Sequence, residues 1–139
     1  MFSSKPAQKP GSQTIHYSPI GHVEASWSHK QWGLPFRDCV STIVLAPDLS
    51  RGLQGLRVGQ DILVVYHCHL STGHSLLQHP QGDVLRPKRG VFALRSANHP
   101  NSIGITQVRI IAIAADRLTV WGLDALNGTP VLDIKPIGR

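Results

Sequence analysis

The chain is short of the residues that stabilise small secreted domains. Its 139 residues hold two cysteines, Cys39 and Cys68, too few and too far apart for a disulfide framework or a four-ligand zinc site, so a reducing compartment is expected. Apolar runs are only strand length, Ile62-Leu63-Val64-Val65-Tyr66 being typical, and none is long enough to span a bilayer as a helix. Long capped helical patterns are lacking as well. The glycines form neither a P-loop nor a strand, Gly-x-Gly-x-x-Gly and helix in series, which argues against a Rossmann nucleotide fold. Acidic residues are few: 8 Asp and Glu against 14 Lys and Arg leave a formal charge of +6, which favours polyanionic partners such as RNA. The densest basic stretch, Arg86-Pro87-Lys88-Arg89, has no interleaved aromatic residue to stack on a base, so a solvated loop and an RNA contact fit it equally.

What the chain does have is a succession of short Val- and Ile-rich runs bounded by Gly, Pro, Asn and Asp. These predict strands at Ile20–Glu24, Val40–Leu45, Asp61–His67, Gly90–Arg95, Ile105–Ile113, Arg117–Gly122 and Val131–Ile134. Ala114-Ala115-Asp116 reads as a tight hairpin turn, and short helical turns are expected at Ser50–Leu56 and after Pro100. The expected fold is all-β, a closed or nearly closed barrel of about seven mainly antiparallel strands, since closure removes unpaired edges. Length allows one domain, residues 15–139, preceded by a flexible tail over residues 1–14 that is too polar for a signal peptide or an anchor. Leu70–Arg89 reads as a long functional or flexible loop.

Several chemistries find little support. His67-Cys68-His69, with His74, His79 or His99 as a third ligand, has no diagnostic metal spacing and no neighbouring acid to orient an imidazole, so no metal site is expected. Neither cysteine sits in a nucleophile elbow. Three features remain. Arg95 is followed by Ser96, Asn98, His99 and Asn101, a polar loop suited to gripping a carboxylate or a ribose. Asn127-Gly128 supplies left-handed backbone for a sharp turn before Thr129-Pro130. Asp133 and Lys135 share one side of the last strand, as an ion pair or as a catalytic acid and its neighbour.

In these stretches the chain resembles the TrmO (YaeB, TsaA-like) family. The residues that carry the resemblance are Gly90-Val91-Phe92-Ala93-Leu94-Arg95-Ser96, His99-Pro100-Asn101-Ser102-Ile103-Gly104, and Leu123-Asp124 through Asn127-Gly128-Thr129-Pro130-Val131-Leu132-Asp133-Ile134-Lys135-Pro136. Ser18-Pro19-Ile20-Gly21, Arg51–Leu56 and Val65-Tyr66-His67 agree more loosely. The polar N-terminus and strand-length apolar runs lead to the expectation of a cytoplasmic protein, and the resemblance implies an S-adenosyl-L-methionine-dependent methyltransferase with a barrel donor site near a homodimer interface. It implies that His67, Cys68, Arg95, Ile105, Asp124, Leu126, Asn127, Gly128 and Thr129 line the donor site, Arg95 holding the methionine carboxylate. His99, Asn101 and Lys135 become acceptor-side candidates, and Asp133 the candidate base. The acceptor it implies is N6-threonylcarbamoyladenosine beside the tRNA anticodon. Departures from the family pattern at His99, Ser102, Asn127, Ile137 and Leu34-Pro35-Phe36-Arg37-Asp38 leave two alternatives, a small-molecule acceptor or a non-catalytic donor-binding module.

Overall fold

The structure is a computed structural model that describes residues 13–26, 39–69, 73 and 75–138. Residues 1–12 of the expected tail, the Leu34–Asp38 stretch and His74 lie outside the described residues. In chain order the strands are β1 (Gly21–Glu24), β2 (Val40–Leu45), β3 (Asp61–His67), β4 (Leu77–Gln78), β5 (Arg89–Gly90), β6 (Ile103–Ala114), β7 (Arg117–Trp121) and β8 (Pro130–Pro136).

Six of them close an antiparallel barrel in the order β1-β2-β7-β6-β3-β8, while β4 and β5 form a separate two-stranded ribbon. Alternation explains the closure: in β3, Ile62, Val64 and Tyr66 are buried between the more exposed Asp61, Leu63, Val65 and His67. Val23, Ile43, Val108, Ile110, Leu118, Val120 and Val131 meet them inside, each buried aliphatic side chain contributing about 1.5–3 kcal/mol of hydrophobic free energy. The long β6 serves two neighbours, pairing with β3 through Ile103–Arg109 and with β7 through Arg109–Ala114. The hairpin turn falls where the sequence puts it, with Ala115 at φ 54° in the left-handed region.

Two glycines are required by packing: Gly21, where a Cβ would meet the Val44 carbonyl oxygen, and Gly104. Tyr66 faces Gly104 across β3 and β6, and its ring lies where a Gly104 side chain would begin.

The sequence expectations need four corrections. Gly90–Arg95 is not a strand: after the short β5, Val91–Ala93 is a 3-10 turn that buries Val91 and leaves Phe92 exposed. The barrel is already closed without this run, so there is no free edge for it to pair with. The helical turn expected at Ser50–Leu56 is a 3-10 segment over Pro47–Leu53, begun by Pro47 and followed by Gly55 at φ 97°. Residues after Pro100 bend without forming a helical turn. The Leu70–Arg89 loop also carries β4 and a 3-10 turn at Pro80–Gly82. Among the described residues no helix is long and apolar enough to cross a membrane.

Candidate functional site

One barrel mouth gathers the end of β3, the start of β6, the end of β7 and the start of β8. The segment from Gly122 to Thr129 therefore crosses this mouth. At its centre the Tyr66 hydroxyl donates to the Asp124 carbonyl oxygen at 2.8 Å and lies 2.8 Å from the Thr106 hydroxyl. A phenol has one proton to give, so Thr106 Oγ1 donates the second bond. Burial, above all, pushes the Tyr66 phenol up to about 12; the negative charges of Asp124 and Cys68 add to this, whereas the Thr106 bond and the Arg95 guanidinium oppose it. Tyr66 is thus a neutral strut at physiological pH, and it fixes the backbone of Asp124.

Cys68, Asp124 and Arg95 all act on the Tyr66 phenol. Burial pushes the Cys68 thiol up, with the Asp124 charge a lesser cause. Asp124 is exposed as a residue, yet desolvation still raises its carboxyl above the usual range. Arg95 is exposed and makes no ion pair among the described residues, so its charge is available to an anion. Its backbone is braced on both sides: a His99 ring nitrogen lies 2.9 Å from the Leu94 carbonyl oxygen, and Ser96 Oγ donates to Gln78 Oε1 at 2.6 Å.

The turn at Asn127-Gly128 is stitched to β1. Gly128 N–H donates to the Val23 carbonyl at 2.7 Å, Val23 N–H to the Thr129 carbonyl at 2.9 Å, and Ala25 N–H to Asn127 Oδ1 at 3.0 Å. Leu126 O accepts both the Thr129 N–H at 3.1 Å and its hydroxyl at 2.7 Å. An open depression of about 670 Å³ adjoins this turn, lined by His22, Glu24, Ser26, Ser41, Thr42 and Asn127 among others.

Other expected residues lie elsewhere. Ile105 and Asp133 are both register partners of Val65, on the row that alternates with the buried Val64 and Tyr66, so they sit together on the barrel's outer wall. Asp133 pairs with Lys135 at 3.0 Å and accepts the Ile134 N–H at 2.9 Å. His67 is exposed at the end of β3, and Asn101 is exposed, its carbonyl accepting the Ile103 N–H at 2.8 Å. Among the described residues no three His, Cys, Asp or Glu side chains converge in a metal-binding group.

Tyr66, Thr106 and Gln78 hold the backbone around the mouth and the 75–101 segment through hydrogen bonds that sequence reading did not single out. Tyr66 stands 40 residues from Thr106 and 58 from Asp124, so no local pattern could link them.

Comparison with known proteins bears on this site. The tRNA-methyltransferase O N-terminal domain profile matches residues 30–138. A probable S-adenosyl-L-methionine-binding protein of Pyrococcus abyssi is 34% identical over 127 residues, covering 88% of this chain and 67% of that one. The human tRNA (adenine(37)-N6)-methyltransferase is 29% identical over a gapped alignment of 145 residues that covers 95% of this chain and 32% of the human protein. A crystal structure of TrmO from Pseudomonas aeruginosa superposes with a TM-score of 0.72 at 31% identity, covering 94% of this chain and 57% of that one. This chain therefore spans little more than half of the solved TrmO chain.

Proposed function

The chain belongs to the tRNA-methyltransferase O N-terminal domain family, and from that premise we propose that it is a cytoplasmic S-adenosyl-L-methionine-dependent methyltransferase acting on an adenine N6 position of tRNA. Its acceptor in this reading is N6-threonylcarbamoyladenosine next to the anticodon. The observation that carries the proposal is the barrel mouth, where the Tyr66 hydroxyl holds the Asp124 carbonyl at 2.8 Å and Arg95, which makes no ion pair among the described residues, acts on the same phenol.

These residues fit the donor. Arg95 offers a guanidinium to the methionine carboxylate, a charge-assisted pair. Gly128 N–H and the Leu126 carbonyl are already engaged within the protein, so the backbone of Asn127 is the part of the turn assigned to the adenine edge. S-adenosylmethionine, when bound, supplies a methyl group activated on a sulfonium. The protein then needs to align the acceptor nitrogen more than to supply acid and base. Cys68 with its raised pKa stays a thiol, which keeps an uncharged wall beside the donor. Asp133 and Lys135 enter the reading as groups of the outer wall, where the acceptor side of the site would have to extend for Asp133 to take a proton.

The reading includes a homodimer. Val84, Leu85 and Phe92 are 74%, 91% and 81% exposed within one short stretch, apolar surface that a second copy would cover.

The deciding experiment incubates purified protein with donor carrying a labelled methyl group and with total tRNA, followed by nucleoside analysis. Label on the N6 position of modified adenosine supports the proposal. Donor binding by calorimetry without transfer to any fraction would instead make the protein a donor-binding module, and label confined to small molecules would replace the acceptor.

A further inference from the structure

Residues 75–101 form an arm on the barrel that holds four cations, Arg86, Lys88, Arg89 and Arg95, and one acid, Asp83. Among the described residues none of these cations makes an ion pair, whereas the strand-borne Arg109, Arg117 and Lys135 of the barrel are all paired. Beside the ribbon of β4 and β5 lies a pocket of about 590 Å³, lined by Leu77 and by the polar Ser75, Gln78, His79, Lys88, Ser96 and Asn98 among others.

The pocket wall is held by its own hydrogen bonds. Gln78 Nε2 donates to the Ser75 carbonyl at 2.8 Å and to the Asn98 carbonyl at 2.7 Å, and Gln78 Oε1 accepts from Ser96. Both of its amide protons are committed, so Gln78 shapes the wall and has no N–H left to offer an anion. His79 Nδ1 lies 2.8 Å from the Arg86 carbonyl oxygen, fixing the approach of the basic loop. Lys88 is the one cation in the lining, and Ser96 connects the wall directly to Arg95.

We propose that this pocket is a phosphodiester subsite for the substrate RNA strand, in which Lys88 contacts a backbone phosphate flanking the methylated adenine and the strand continues past Arg95 to the barrel mouth. The proposal rests on the tRNA reading above. A lysine carries a phosphate as a mobile point charge without reading sequence, so the subsite positions the strand and leaves base selection to the mouth. The exposed Val84, Leu85 and Phe92 do not line the pocket.

The test measures binding of a fluorescent anticodon stem-loop RNA across a salt series for wild type, Lys88→Ala, Lys88→Arg and, as a control cation beyond the arm, Arg57→Ala. Loss of one single-strand phosphate contact lowers the slope of log affinity against log salt by about 0.7, equivalent to roughly fivefold in affinity at 0.1 M salt. Lys88→Ala is expected to show that change with donor affinity unaltered, Lys88→Arg to restore most of it, and Arg57→Ala to show none. An equal loss in Lys88→Ala and Arg57→Ala would reduce the effect to net charge and overturn the proposal. So would Lys88-dependent binding of inorganic phosphate as tight as that of the RNA, which would mark a free-phosphate site. Lys88-dependent RNA binding without methyl transfer would sink the proposed activity while leaving the subsite standing.

Discussion

The barrel and the arm of residues 75–101 are held together by different forces. In the barrel, Val23, Ile43, Ile62, Val64, Leu118, Val120 and Val131 are fully buried and the backbone groups satisfy one another in ladders. In the arm, Leu76, Leu77, Val84, Leu85 and Phe92 face outward, and the chain path depends on bonds made by Gln78, His79, Ser96 and His99. Apolar burial tolerates substitutions that keep volume, whereas a shape set by a few polar side chains changes when one of them is lost. The barrel therefore supplies stability while the proposed reading gives recognition to the arm, and substitutions in the two should fail in different assays.

The largest expected effect is in the barrel. Gly104→Val places a branched side chain where the Tyr66 ring lies, and chemical denaturation should register a loss of about 3 kcal/mol or more. A small change there would mean that the ring readily moves, and the rigid-mouth picture would fail. Next comes the arm: Arg95→Ala should weaken donor binding by about 1.5–3 kcal/mol in calorimetry, with the melting temperature unchanged. Donor affinity equal to wild type would remove Arg95 from the site.

Tyr66→Phe should cost about 1–2 kcal/mol of stability, since it strips a partner from the Asp124 carbonyl and from Thr106. Its pH dependence is diagnostic. The folded phenol titrates near 12 against 10.0 ordinarily, so its stabilising share is fully present below pH 10 and is lost as pH rises toward 12. Stability curves of wild type and variant should converge across that window, and parallel curves would contradict the buried-phenol assignment. The smallest expected effect is that of Asp133→Asn, where an outer-wall ion pair is worth under about 1 kcal/mol. Methyl transfer should stay within about twofold; a fall of roughly a hundredfold or more in kcat would instead identify Asp133 as the general base.

The barrel was far more legible in the sequence than the arm, for a physical reason. Val40–Leu45 and Asp61–His67 coincide with β2 and β3 because a strand buried on one face writes its period into the sequence. Gly90–Arg95 carries a similar apolar run, but apolarity does not report whether a neighbouring edge exists, and the run became a 3-10 turn with Phe92 in solvent. β4 and β5, two residues each, are too short to show any period. At the candidate site, the charges of Arg95, Cys68 and Asp124 all act on the Tyr66 phenol, while Ile105 and Asp133 share the outer wall, since only the register reveals which way each residue of a strand points. The expected polar tail over residues 1–14 falls almost wholly outside the described residues.

The seam between β1 and β8 joins only two register positions, against seven between β3 and β6. It is the natural place for the barrel to breathe, and the Asn127-Gly128 turn is sewn across its end by the amides of Val23, Ala25 and Gly128. A ligand gripping that turn would act as a clasp on the whole cylinder. Hydrogen exchange at those three amides should therefore slow on donor binding more than anywhere in the β3–β6 ladder, so that occupancy of the site can be read from the closure of the fold.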